Sequence, residues 1–238
     1  MKTLYTTLIQ GPINEDSVSL QKINKYKEYG DVVVSCYNSD IAGKKLPWED
    51  LKGTNIVTMC LPDIPDGRCP WLKESTFYYA LSTMYNGLLQ VKTPYVIKTR
   101  SDEKWGTFAP FIDEFQKDYD SLVCGNIFCR SFDDQPYHFG DHIFIIKTRY
   151  LKNAVGNLLK MYNKGMGDTS GAEIVLCKSI MNSMNIIINK KNYLNTVKVV
   201  DINKVKDFHV VWQHAGRHYT NSFTNHYGVY SNFDLSNK

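Results

Sequence analysis

The absences in this 238-residue chain narrow its class before any motif does. Its six cysteines, Cys36, Cys60, Cys69, Cys124, Cys129 and Cys177, include no CxxC pair, so a structural zinc site built from them is not expected. Cys36, Cys60 and Cys124 sit in or beside apolar strand-like runs, where a thiol behaves as a small buried hydrophobe. The amino end, MKTLYTTLIQGPINED, lacks a small-residue cleavage site and reads as a first strand rather than a secretory leader. Reduced thiols and a cytoplasmic location are the matching expectation. No apolar run approaches the roughly 20 residues of a membrane-spanning helix. Charge of either sign is nearly balanced, 28 Lys and Arg against 24 Asp and Glu. That surplus is too small to argue for nucleic acid and is compatible with an anionic ligand. Also missing are GxGxxG after the first strand, GxxxxGK followed by Ser or Thr, and GxSxG. Their absence argues against a dinucleotide oxidoreductase, a P-loop enzyme and an α/β-hydrolase.

What is present is an alternation of strand and helix patterns. Apolar or β-branched runs at 3–9, 31–37, 55–60 and 95–99 read as strands, the second continuous enough to be covered on both faces. SLVCGNIF and HIFIIKT add two more, separated by the polar loop CRSFDDQPYHFGD. The spacing of Phe77, Leu81, Met84 and Leu88 predicts a helix over 74–90. Helices are further expected over 17–29, with Asp16 or Ser17 as N-cap, and over 150–162 and 173–184. LPDIPDGRCP (61–70) reads as loop, and 197–219 holds one or two strands before a His- and Asn-rich tail. The pattern predicts an α/β fold with a central, mostly parallel sheet flanked by helices. In such sheets ligands gather at the carboxyl ends of the strands, here 10–14, 35–38, 61–66 and 100–103.

Three constellations can carry chemistry. Lys98-Thr99-Arg100-Ser101-Asp102-Glu103 delivers cations, hydroxyls and carboxylates to one strand end, a set suited to phosphate oxygens and a hard cation, or simply to a solvated terminus. His138-Phe139-Gly140-Asp141-His142 precedes an apolar strand and can orient a sugar hydroxyl or a metal, or serve as a plain turn. In Gly167-Asp168-Thr169-Ser170-Gly171-Ala172-Glu173, Ser170 and Glu173 fit a capping box, and Glu173 alternatively a general base. Of the late histidines, His214 and His218 lie four apart, close enough to share a helical face, yet no HExxH surrounds them.

The ordered set TLIQGPI, DVVVSCY, ALSTMYNGL, YVIKTRSDE, FGDHIFI and GAEIVL resembles the WavE-type lipopolysaccharide-synthesis family from Thr7 to about Ile180. The resemblance implies one GT-A-like glycosyltransferase domain over 1–238. Residues about 1–105 would form a nucleotide-sugar-binding half and about 106–238 an acceptor half. It implies transfer of a hexose from a nucleotide-sugar to a surface-polysaccharide glycan, assisted by Mn²⁺ or Mg²⁺. No nucleic acid partner and no transmembrane segment are expected, with peripheral membrane association left open. Gln10, Gly11, Pro12, Ser35, Arg100 and Asp102 would hold the donor, and Asp102 and Glu103 the metal. Glu173 would be the base, with Asp141 on a sugar hydroxyl. The Asp-x-Asp slot of GT-A enzymes reads Arg100-Ser101-Asp102 here, so Arg100 is a second means of neutralising a diphosphate. The helix before Ser-Thr-x-x-Gly-Leu carries Phe77, Tyr78 and Tyr79 where the family tends to have Arg or Gln. Two other classes stand beside this one. One is a sugar-phosphate nucleotidyltransferase, which the single Gly11 without a nearby Arg disfavours. The other is a GT-A-fold protein that binds without turnover.

Overall fold

A computed structural model describes residues 4–13, 19–42, 51–60, 76–166, 170–212 and 217–220. Seven strands form one mixed sheet: β1 (Tyr5–Gln10), β2 (Gly30–Tyr37), β3 (Asn55–Met59), β4 (Tyr95–Arg100), β5 (Leu122–Gly125), β6 (Phe144–Lys147) and β7 (Val197–Val200). Their order is β3-β2-β1-β4-β6-β5-β7. All neighbours run parallel except β6, which is antiparallel to both β4 and β5. The expected α/β class with a mostly parallel sheet is therefore observed. A separate antiparallel pair joins β8 (His209–Trp212) to β9 (Arg217–Thr220).

The helices are α1 (Ile23–Tyr26), α2 (Asn38–Ile41), α3 (Thr76–Gln90), α4 (Ala109–Phe115), α5 (Thr148–Asn163), α6 (Ala172–Ser183) and α7 (Lys190–Thr196). The period-2 alternation of the strands sends side chains to two separate cores. Leu8, Val33 and Val96 meet Leu81, Met84 and Leu88 of α3, with α5 and α6 completing that layer. Ile9, Val34 and Ile97 meet Ile23 and Tyr26 of α1 and Phe111 and Phe115 of α4 on the other face.

Two registers position the functional end. Gln10 of β1 pairs with Ser35 of β2 and Arg100 of β4, so β1 and β4 finish at one level and β2 runs two residues further, to Tyr37. Because β6 is antiparallel, Phe144 at its amino end pairs with Lys98, and the turn carrying Asp141 and His142 arrives at that same edge. Gly140 permits the approach. A Cβ there would run into the Gly125 carbonyl and lie 2.9 Å from that of Ile127.

The expected helix over 17–29 is a 3₁₀ turn (Leu20–Lys22) followed by the short α1. Asn14, Asp16, Ser17, the loop 61–70, residues 167–169, His214 and His226 lie outside the described residues. His209 and His218 sit on β8 and β9, so the described part of the tail is strand rather than a helix presenting histidines four apart. Among the described residues, no helix is long and apolar enough to cross a membrane.

Candidate active site

The strand ends enclose a cavity of about 280 Å³. Gln10, Gly11 and Pro12 wall it from the end of β1, Lys98, Arg100, Ser101 and Asp102 from the end of β4 and the turn after it, and Asp141 from the turn before β6. Among the described residues, Tyr37 at the end of β2 and Tyr79, Ala80 and Thr83 on α3 line it as well. The β1 and β4 ends are fastened together. Ser101 donates its amide to the Gln10 carbonyl at 3.1 Å and its hydroxyl to the Pro12 carbonyl at 2.5 Å. Gln10 donates its side-chain amide to Thr83 Oγ1 at 3.1 Å, tying α3 to the same rim.

Lys98 is 1% exposed. Its Nζ donates to the Asp141 carbonyl at 2.5 Å and lies 4.0 Å from Asp141 Oδ2. Burial lowers the amine below the ordinary lysine value, opposed by the Asp141 charge. Arg100 faces the same side two residues on, and its Nε and Nη2 donate to Asp102 Oδ1 and Oδ2 at 2.9 and 2.7 Å. Burial pushes the Asp102 carboxyl up, but the Arg100 hydrogen bonds and charge outweigh it and hold the group below its usual range. Asp141 follows the same logic: burial raises it, Lys98 pulls it down further, and the net direction is down.

Glu103 is fully buried, with Oε1 against His142 Nδ1 and 3.7 Å from Arg100 Nε. It does not line the cavity. Its other oxygen is buried without a hydrogen-bond partner among the described residues, a costly state for a carboxyl group. The expectation that Asp102 and Glu103 form a metal pair does not fit this arrangement. Both Asp102 oxygens are spent on Arg100, and Glu103 faces protein. No cluster of three or more His, Cys, Asp or Glu able to hold a metal ion occurs among the described residues.

Ser35, expected at the donor, is likewise turned away from the cavity. It is fully buried and donates to the Thr83 carbonyl at 2.6 Å, locking β2 to α3. Glu173 stands in the first turn of α6, beside the cavity rather than in its wall. The N-cap of α6 is Gly171 and not Ser170, which puts Glu173 one position short of the capping-box site. Burial first, and the nearby Asp141 charge second, raise the Glu173 carboxyl above its ordinary value. This reverses the direction that the helix dipole alone would give. His138 Nε2 lies 3.7 Å from Glu173 Oε2. Burial, reinforced by Arg130, lowers His138 to about 4, so it is neutral near pH 7 and the contact is polar rather than ionic.

Of the residues expected from the sequence, Gln10, Gly11, Pro12, Arg100, Asp102 and Asp141 line one cavity. Sequence reasoning missed the wall from α3. The signal was there: Tyr79 and Thr83 are four apart and so share a helical face. It also took Lys98 only as one charge of a strand-end group, whereas the strand alternation aims it inward.

No protein-family model matches the chain, and no curated protein does. Among solved structures it is similar to TarS of S. aureus, with a TM-score of 0.48 and 12% identity over 84% of this chain and 35% of that one. It is also similar to glucosyl-3-phosphoglycerate synthase of Mycobacterium tuberculosis, solved with Mn²⁺, uridine diphosphate and glucosyl-3-phosphoglycerate. There the TM-score is 0.46 and the identity 11%, over 84% of this chain and 70% of that one. A third is 2-C-methyl-D-erythritol 4-phosphate cytidylyltransferase of Thermus thermophilus, at 0.44 and 12% over 84% and 89%. The chain spans about a third of the length of TarS.

Proposed function

We propose that this chain is a nucleotide-sugar-dependent glycosyltransferase of GT-A-like architecture, one unit whose amino-terminal half holds the donor and whose carboxyl-terminal half receives a glycan. One observation carries the reading. A single sheet mouth brings together a cationic wall, Lys98 and Arg100, and a carboxyl beside it, Glu173, raised by burial and by Asp141. Displacement at a sugar carbon needs both. Charge developing on the leaving diphosphate must be stabilised, and the attacking hydroxyl must lose its proton.

The donor diphosphate sits against Lys98 and Arg100, with the sugar toward Asp141. Glu173 takes the proton of the acceptor hydroxyl as its oxygen bonds to the anomeric carbon. The bond from that carbon to the diphosphate oxygen breaks, and its electron pair leaves on the diphosphate. A carboxylate raised above its normal range is a stronger base than a free one. Asp141, held ionised by Lys98, is a hydrogen-bond acceptor for a sugar hydroxyl. The order of the WavE-like motifs supports a surface-polysaccharide acceptor, and the cytoplasm as the place where nucleotide-sugars are used.

The test is release of nucleoside diphosphate from a panel of nucleotide-sugars, with and without glycan acceptors. One donor class is expected to react. A chain that binds a nucleotide-sugar and never releases diphosphate is a binding protein, and one that binds none contradicts the reading altogether.

A further inference from the structure

The two carboxylates of the turn after β4, where a metal pair was expected, are engaged. Asp102 is held bidentately by Arg100. Glu103 is sealed against His142, with Arg100 Nε also near its Oε1. Asp141 faces Lys98. Glu173 stands outside the cavity wall, next to a neutral His138. A divalent ion bridging protein and diphosphate takes several oxygen ligands, and freeing one from Asp102 or Glu103 means breaking a partly buried pair. Among the described residues that leaves Asp141 as the one carboxylate of the cavity wall without a side-chain hydrogen bond, and it faces the Lys98 cation.

Lys98 is in the opposite condition. The residue is 1% exposed and lines the cavity, and its amine gives one hydrogen bond, to a main-chain carbonyl, at 2.5 Å. The nearest carboxylate oxygen is 4.0 Å away, beyond hydrogen-bonding distance. The ring of Phe144, 5.6 Å from Nζ, closes the other side without accepting a conventional hydrogen bond. An ammonium has three N–H groups. Those not on Asp141 remain for a ligand in the cavity, held on a strand in the middle of the sheet rather than on a loop.

We infer that this cavity binds the diphosphate of its nucleotide ligand without a divalent metal, with the ammonium of Lys98 in direct contact with the phosphate oxygens. The inference rests on the glycosyltransferase reading and deepens it by naming what neutralises the leaving group. Lys98 is thereby a catalytic residue, and Arg100 supports it from the rim while remaining paired to Asp102. The geometry needs no new residue and no rearrangement of the Arg100–Asp102 pair.

The experiment is calorimetric titration of UDP, GDP, CDP and ADP into the purified chain, once in EDTA and once in MnCl₂. At least one diphosphate is expected to bind in EDTA with an affinity within a few-fold of that in Mn²⁺. Lys98→Met, which keeps the buried chain length and removes the charge, should weaken that binding roughly 10- to 100-fold, the worth of a charged hydrogen bond. Its circular dichroism and melting temperature report whether it folds. If it does not, the comparison of EDTA with Mn²⁺ in the unaltered chain decides alone. Binding that appears only with Mn²⁺ overturns the inference and leaves the glycosyltransferase reading standing. A folded Lys98→Met that binds as tightly as the parent chain overturns it too. If no diphosphate binds in either buffer, the functional reading itself fails.

Discussion

In the proposed reaction Glu173 is the residue on which the chemistry turns. Because burial and Asp141 raise its carboxyl, the transfer rate should climb with pH through a value above the ordinary glutamate figure of about 4.3. Glu173→Gln should lower the rate roughly 10²- to 10⁴-fold, leave donor affinity largely unchanged and remove that limb of the pH profile. Steady-state kinetics across pH with both chains measures this. A Glu173→Gln variant that keeps its rate and melts lower would make the residue part of the helix terminus and nothing more. Asp141 gives a second expectation, on stability. Its folded value lies below the unfolded one, so its contribution is complete above about 3.9 and is lost as pH falls through the lower folded value. Asp141→Asn should therefore melt below the parent chain at pH 7, and the gap should close in acid. A gap that stayed constant across pH would rule out the Lys98 pairing as its source. His138 contributes with the same slope by a different route. The unfolded imidazole takes up a proton near 6.5 and the folded one only at about 4, so stability falls with pH across that window. Melting curves from pH 7 to pH 4 should flatten in His138→Gln. At this scale the candidate residues were legible as types: cations and carboxylates at the end of an apolar strand. Their partners were not. The Glu103–His142 contact spans 39 positions, and the Arg100–Asp102 pair competes with any metal only because of how the turn after β4 folds.

At the level of elements, the long periodic ones could be read from sequence because burial on one face imposes the pattern. β2, β4, α3, α5 and α6 appear within a few residues of where the spacing put them. Two seven-residue helices, α4 and α7, escaped, being too short for a 3.6-residue period to repeat. Their capping signals were available: Pro110 in the first turn of α4, and Asn189 accepting from the Asn192 amide at 2.8 Å at the start of α7. The reversed direction of β6 was equally hidden, since an apolar run has no polarity of its own. It is nonetheless the feature that brings Asp141 to Lys98. The seam between α3 and the sheet offers a direct test. Gly87 lets the helix lie close, and a methyl there would strike Leu8 Cδ1 and come within 2.9 Å of Ser35 Cβ. Gly87→Ala should destabilise by about 1–3 kcal/mol in chemical denaturation, despite the better helix propensity of alanine. It should also weaken nucleotide binding, because Thr83, one turn earlier, anchors both Gln10 and Ser35. Unchanged or increased stability would mean that the seam yields without cost.

For the molecule as a whole, the sheet acts as a level. Parallel strands β1 and β4 end together with β2 two residues beyond, antiparallel β6 begins there, and α3 walls the same edge. That convergence sets cations and carboxylates facing one another across a space sized for a small anionic ligand. The claim most exposed to experiment is that a nucleotide-sugar occupies this space. Ala80 lines it from α3 and is neither in the catalytic set nor fully buried, so Ala80→Trp fills it with an indole while sparing Lys98, Arg100 and Glu173. Titration of the nucleotide-sugar panel into both proteins, followed by calorimetry, should show one donor class binding at one site per chain. The heat should vanish in a folded Ala80→Trp variant. Undiminished binding by that variant would contradict the account.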